Sequence, residues 1–185
     1  MTTQNTTFTA IKKQNENRIN LQNMDGIRLI SASKIENSSF DNSLLDKIKI
    51  RNSDLNESDL RKCNMKFAKH NNSNYAGADF TWSNLAANHF KRNNLKGVSL
   101  ECTNLEGSIF EECDLSSTSL RWANLKNVTF KNCNLEGCDF SNVNLASTIF
   151  VDSNLKGAKF NINTKMPFLK ENAISKLGMN FVGIQ

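Results

Sequence analysis

Two histidines, His70 and His89, and five cysteines, Cys63, Cys102, Cys113, Cys133 and Cys138, are the side chains best suited to nucleophilic, acid–base or metal chemistry. Their spacing supports none of it. There is no CxxC pair, and two histidines without clustered cysteines do not make a zinc site. Neither histidine stands with a Ser and an Asp in a triad arrangement, and no glycine-rich loop precedes a helix. Catalysis needs groups of shifted pKa gathered in a concave pocket, whereas the repeat described below implies flat faces. The sequence therefore reads as a non-enzyme with no cofactor and no metal.

Binding suits the remaining features better. Trp82, Cys102 and Trp122 recur at a spacing of twenty. In a coil of that period they form one outward line about 10 Å long, and exposed tryptophans are favoured at interfaces. The alternative is that a terminal flank folds over them. Glu101, Glu106, Glu111, Glu112 and Asp114 form an acidic belt, with no Lys or Arg between Gly97 and Leu120. Arg61, Lys62, Lys66 and Lys69, then Lys91, Arg92 and Lys96, form basic bands. Such bands serve either as a solvated surface or as a docking surface for a protein partner.

What positions these residues is a rhythm of five. Every fifth residue from Ile30 to Phe160 is Leu, Phe, Ile, Met or Tyr, with His70 the exception. A helix repeats its apolar face every three or four residues and a strand every second one, so neither explains this register. Two positions before each bulky centre, from Ser33 to Ala158, stand Ser, Thr, Ala, Cys or Val, except at Ile48, Asn88 and Asn93. That position must be cramped and buried. Cys63, Cys113, Cys133 and Cys138 all fall there, as small interior fillers rather than redox groups. His70 reads as a neutral, hydrogen-bonded core residue, with a switch or ligand role as the alternative.

A second period, of twenty, is superposed on the first. Asn64, Asn84, Asn104, Asn124 and Asn144 recur at that interval, so identical side chains can stack at the strand spacing of about 4.8 Å. The centres then make four columns. Leu85, Leu105, Leu125 and Leu145 line one, Leu95, Leu115, Leu135 and Leu155 line the opposite one, and Phe90, Phe110, Phe130 and Phe150 belong to a third. Because each coil touches only its neighbours, the architecture is a solenoid.

The segments AGADF, CTNLEGSIF, RWANLKNVTF and SNLKGAKF resemble the A(D/N)Lxx consensus of the pentapeptide-repeat proteins, and the resemblance spans about 130 of the 185 residues. It implies an all-β fold, a right-handed quadrilateral parallel β-helix in which four five-residue sides complete one coil. Functionally it implies a non-enzymatic module that presents flat faces to a protein partner. Some members protect DNA gyrase or topoisomerase IV from quinolones or toxins by imitating duplex DNA with an acidic rod, often as dimers through a C-terminal helix. This chain departs from that pattern: it has no break between repeat blocks and no projecting loops, and Ile30–Phe160 carries 16 Lys/Arg against 15 Asp/Glu. Polyanion mimicry needs a negative face. The near balance equally gives no indication of a phosphate-binding surface, so no direct nucleic-acid contact is expected.

Both flanks read as covers for the open coil ends. Residues 1–29 are rich in Thr, Asn and Gln and place Phe8, Ile11, Ile19, Leu21, Met24 and Ile27 out of frame, a polar flank before repeats spanning 30–162. In 163–185, Thr164 or Lys165 precedes Pro167, Leu169, Ala173 and Leu177 share a face, and Gly178 supplies a stop. A short C-terminal capping helix is expected, with a homodimer through it as the alternative. No apolar run is long enough for a membrane span, and the N-terminus lacks the apolar centre of a secretory signal, so a cytoplasmic protein is expected. The polar start also resembles the export signals of secreted bacterial effectors, which is the alternative location.

Overall fold

Five residues suffice for one side of a coil because two of them point inward and two make the corner. The bulky centre and the small residue two before it are buried along the repeats, as at Leu105 and Thr103 or Leu115 and Cys113, except for Phe150 and Ser153 near the C-terminal end, which are partly exposed. The chain then turns, and the residue two after the centre takes a positive φ, 53° at Asn37, 61° at Asn42 and 57° at Asn127. Left-handed backbone bends the chain within one residue, and Asn or Gly adopts it at the least cost. The remaining outward residue, before the centre, is often Asn or Asp because its side-chain oxygen accepts the N–H two residues on. Asn104 Oδ1 accepts from Glu106 N at 3.2 Å, and Asp114 Oδ1 from Ser116 N at 2.9 Å.

The computed structural model describes residues 10–16, 18–166, 178 and 180–181. One side of the coil is regular enough to form three-residue strands: β1 (Ala10–Lys12), β2 (Leu29–Ser31), β3 (Lys49–Arg51), β4 (Lys69–Asn71), β5 (His89–Lys91), β6 (Ile109–Glu111), β7 (Thr129–Lys131) and β8 (Ile149–Val151). They pair in parallel in chain order as one eight-stranded sheet. The other three sides pair through single bridges, Asn64 to Asn84 to Asn104 to Asn124 on the fourth side for example. The result is an all-β, right-handed, four-sided parallel β-helix of about 7 turns.

Stacking in register fixes what each column holds. Phe90, Phe110, Phe130 and Phe150 lie ring on ring, with centroids 4.7, 5.1 and 5.5 Å apart and interplanar angles of 2°, 18° and 11°. The two leucine columns are buried along their length, and only Phe150, near the end of its column, is partly uncovered. The small inward residue does more than fill space. Ser108 Oγ donates to the Leu85 carbonyl at 2.7 Å, Thr118 Oγ1 to Leu95 at 2.8 Å and Cys138 Sγ to Leu115 at 2.9 Å. A hydroxyl or thiol thus ties each coil to the one before it, which explains why Ser, Thr and Cys alternate with Ala and Val there. Outside, asparagine amides run in ladders: Asn124 Nδ2 donates to Asn104 Oδ1 at 3.0 Å and Asn94 Nδ2 to Asn74 Oδ1 at 2.9 Å.

The frame breaks just outside the gapless span, once at each end. Residues 10–28, read above as part of a polar flank, complete a first coil, but Ile11 pairs with Ile30 and Asp25 with Leu44, nineteen residues on, whereas Leu29 pairs with Lys49, twenty on. One residue is missing between Asp25 and Leu29, where Gly26 takes φ 86° and Ile27 turns fully inward. This constant slip of one is why the apolar residues before Ile30 look out of frame. At the other end Asn144 bridges Lys165, twenty-one residues on, so one residue is extra after Lys159. Thr164 takes the place of an inward hydroxyl, donating to the Phe140 carbonyl at 2.9 Å. Thr164 and Lys165, expected to lead into a helix, therefore belong to the last coil. The expected helix itself falls on 167–177, outside the described residues. Beyond it, β9 (Lys159–Phe160) pairs in parallel with β10 (Asn180–Phe181).

Candidate functional site

Trp82, Cys102 and Trp122 occupy one corner in three successive coils, with φ of 65°, 56° and 60°. They follow the centres Phe80, Leu100 and Leu120, so the corner joins the third side to the fourth. Trp82 is 66% and Trp122 58% exposed, and Cys102 between them is half-buried. Asn42 and Asn142 hold the same corner further along the rod with φ 61° and 63°, which is the residue type that suits this backbone. A bulky L-residue there costs about 1–2 kcal/mol relative to a right-handed position.

The acidic belt does encircle one coil, but each acid is tied to a neighbouring coil. Glu112 meets Arg92 at 2.7 Å, Glu106 meets Lys126 at 2.9 Å, and Glu111 lies 3.2 Å from Lys91 and 3.4 Å from Lys131. Glu101 accepts a hydrogen bond from Ser119 Oγ at 2.7 Å, and Asp114 one from Asn134 Nδ2 at 3.1 Å. Hydrogen bonds from Lys126 and Lys91 hold the Glu106 and Glu111 carboxyls below the usual range. The belt is thus a set of inter-coil staples more than a free negative surface. Glu101 and Glu106 lie on the two sides that meet at the tryptophan corner, whereas Glu111, Glu112 and Asp114 face away from it.

Sequence reasoning treated His70, Asn88 and Asn93 as three separate departures from the repeat. They form one buried cluster. His70 stacks on Phe90 with centroids 4.1 Å apart and 7° between planes. Its Nδ1 lies 2.7 Å from the Tyr75 hydroxyl and its Nε2 lies 3.3 Å from Asn88 Nδ2. Asn88 Oδ1 is already engaged by Ala68 N at 2.9 Å, so the amide must present its N–H to Nε2. That assigns the proton to Nδ1, and a second proton on Nε2 would face a donor. Asn93 Nδ2 donates to the His70 carbonyl at 2.9 Å. Burial, and secondarily the charge of His89, pulls the His70 pKa down to about 3. His70 is a neutral core residue. The signal was present in the sequence, since Asn88 and Asn93 stand eighteen and twenty-three residues after His70, one coil on.

Burial pushes the Cys63 and Cys138 thiols up to about 12, as expected of inert interior groups. No group of three His, Cys, Asp or Glu side chains among the described residues is placed to hold a metal ion, and no helix among them is long and apolar enough to cross a membrane. A shallow open groove of about 870 Å³ follows the corner between the first and second sides, lined by Asn52, Asn72, Asn74, Lys34 and Arg92 among others.

A β-solenoid of five-residue sides with this consensus defines the class. A family model for the pentapeptide repeat region matches residues 84–160, so that span is a pentapeptide-repeat region. No curated protein matches it by sequence. Among solved structures, a trypsin-treated form of QnrB1, a plasmid-mediated fluoroquinolone resistance protein, superposes with a TM-score of 0.50 at 15% identity, covering 94% of this chain and 84% of that one. HetL, a pentapeptide repeat protein involved in heterocyst differentiation regulation from the cyanobacterium Nostoc sp. strain PCC 7120, gives a TM-score of 0.29 at 15% identity, covering 92% and 84%. A pentapeptide repeat protein from the Arabidopsis thaliana thylakoid lumen gives 0.32 at 24% identity, covering 54% and 70%.

Proposed function

We propose that this protein is a non-enzymatic interaction module, a rigid rod that engages a protein partner through the corner bearing Trp82, Cys102 and Trp122. One observation carries the reading: two indole rings stand in water on left-handed backbone, in a column otherwise held by Asn42, Lys62, Cys102 and Asn142. An interface gives such rings the desolvation they lack in the free rod. Glu101 and Glu106 supply a polar rim beside them.

The chain contains only 2 tryptophans, so intrinsic fluorescence reports on this corner alone. Partner binding should shift the emission to the blue and protect it from iodide quenching. Trp82→Asn with Trp122→Asn should abolish specific capture while leaving the rod folded. An unchanged emission on partner binding, or an unchanged capture profile for the double variant, overturns the reading.

A second reading is protection of DNA gyrase or topoisomerase IV. It is favoured by the fold likeness to trypsin-treated QnrB1, named as a fluoroquinolone resistance protein, over 94% of this chain. It requires that the purified protein alter gyrase supercoiling or quinolone-induced cleavage; no effect at micromolar concentration ends it.

A further inference from the structure

Charge that is nearly balanced along the chain is unbalanced around the rod. Residues twenty apart share a side, so the outward positions of β1 to β5 gather Lys12, Lys49, Arg51, Lys69 and Lys91 on one face with no carboxylate among them. The acids of the same coils, Asp54, Asp59 and Asp79 for instance, lie on other sides. Successive strands are about 4.8 Å apart and alternate residues of a strand about 6.6 Å apart, so these five cations occupy a patch roughly 7 Å by 20 Å. No carboxylate among the described residues lies within ion-pair distance of Lys49, Arg51 or Lys69, in contrast to Lys91, which meets Glu111 at 3.2 Å.

The same face is apolar further along. Ile109 and Ile149 continue the column of Lys49 and Lys69 and are 43% and 53% exposed, Val151 stands beside Ile149, and Phe67, 57% exposed, borders the face at the corner before β4. Between the two regions Glu111 is neutralised by Lys91 and Lys131.

We propose that this eight-stranded face docks on the surface of an anionic lipid bilayer, the bases meeting acidic headgroups and the isoleucines entering the boundary with the acyl chains. Three features favour a bilayer. The face is one uninterrupted parallel sheet in register, eight strands long, and a flat face meets a planar partner over its whole length but a cylindrical duplex along a line. Exposed isoleucines gain nothing from phosphates and gain transfer energy at a bilayer interface. Unpaired lysines and arginines near an acidic leaflet each strengthen binding. The tryptophan corner lies at the far side of the rod, where the third and fourth sides meet, so this surface is independent of the one proposed above.

Vesicle co-sedimentation tests it, with the full chain and vesicles of equimolar phosphatidylserine and phosphatidylcholine. Binding should be lost on pure phosphatidylcholine and weakened by salt as screening shortens. Lys49→Gln, Arg51→Gln and Lys69→Gln together should weaken partitioning about 100-fold, at roughly fivefold per base. Ile109→Ser with Ile149→Ser should weaken it by roughly fivefold per residue, from burying half an isoleucine each. All five positions point outward, so unchanged thermal unfolding should accompany both losses, and Lys62→Gln with Lys96→Gln, at corners away from this face, should bind as the parent does. Equal binding to neutral vesicles, no binding to either vesicle, or an isoleucine variant that binds as well as the parent overturns the proposal. So does duplex DNA that competes the protein off vesicles while binding the isoleucine variant equally well, which would make the face a nucleic-acid surface.

Discussion

Replacing His70 with phenylalanine makes the first side obey the repeat, yet it should destabilise the rod. The substitution extends the ring column below Phe90 and adds apolar surface worth about 1 kcal/mol. It also strips partners from the Tyr75 hydroxyl and the Asn88 amide, both fully buried. Leaving a buried polar group unsatisfied costs roughly 1–3 kcal/mol, so the net loss should be about 1–5 kcal/mol. Adding Tyr75→Phe and Asn88→Ser should recover most of it, because serine at this position can accept the Ala68 N–H as Ser83 accepts that of Cys63 at 3.0 Å. The pH dependence gives a second readout. The unfolded chain binds a proton at this histidine near its ordinary value of 6.5, and the folded protein not until about 3. Through that window the unfolded state holds more protons, so stability must fall as pH falls, by up to about 1.4 kcal/mol per unit, and be indifferent to His70 above it. Carboxylates such as Asp59, lowered mainly by its hydrogen bond from Arg61, lose stability in the same direction. The contribution of His70 is therefore the difference between parent and triple variant, measured by denaturant titration followed by circular dichroism. A single variant as stable as the parent, or parallel pH profiles for parent and triple variant, would refute the assignment of a mutually satisfied neutral cluster.

Leu105→Lys buries an unpaired ammonium at a fully buried centre, and should cost at least about 4 kcal/mol; hydrogen exchange should show protection lost in the adjoining coils first. Asn104→Ala interrupts a ladder bonded to both Asn84 and Asn124 and frees the Glu106 N–H, for an expected loss of about 1–3 kcal/mol in thermal or denaturant unfolding. Trp82→Asn should be close to neutral in stability, within about 1 kcal/mol, because relief of left-handed backbone offsets the one-third of the ring that is buried; a large destabilisation would mean that the ring is structural. Under native conditions a thiol reagent should modify Cys102 alone, and Cys63, Cys113, Cys133 and Cys138 only after unfolding.

The register of five was sufficient to place the core because every side chain in it obeys one geometric rule. Leu85, Leu95, Phe110 and Leu125 are where the rhythm puts them. What the rhythm could not reveal was set by pairing between coils. Ser, Thr and Cys at the small inward position looked like fillers, and their hydrogen bonds to carbonyls twenty-three residues earlier appear only once the coils are stacked. The left-handed corner was legible in principle, since Gly97, Gly107, Asn127 and Asn142 all sit two after a centre, but bulky residues such as Trp82 and Phe67 at the same position hide it. The end coils escaped for a different reason. A single deletion after Asp25 moves every earlier residue by one, so a strict five-residue frame scores the first coil as noise although Ile11 and Leu21 are buried.

Composition along a solenoid is a poor guide to its surface, and this rod shows why in physical terms. Net charge over a linear window averages four sides that face four directions, whereas a partner meets one side. Sampling at intervals of twenty separates them: Lys49 and Lys69 fall in one column and Asp59 and Asp79 in another, two sides away. Across the rod the two groups are screened from each other by distance and salt, so they do not cancel at a contact surface. The near balance that argues against an acidic mimic of DNA is therefore compatible with one strongly basic side, and the same stacking that builds the core is what concentrates it.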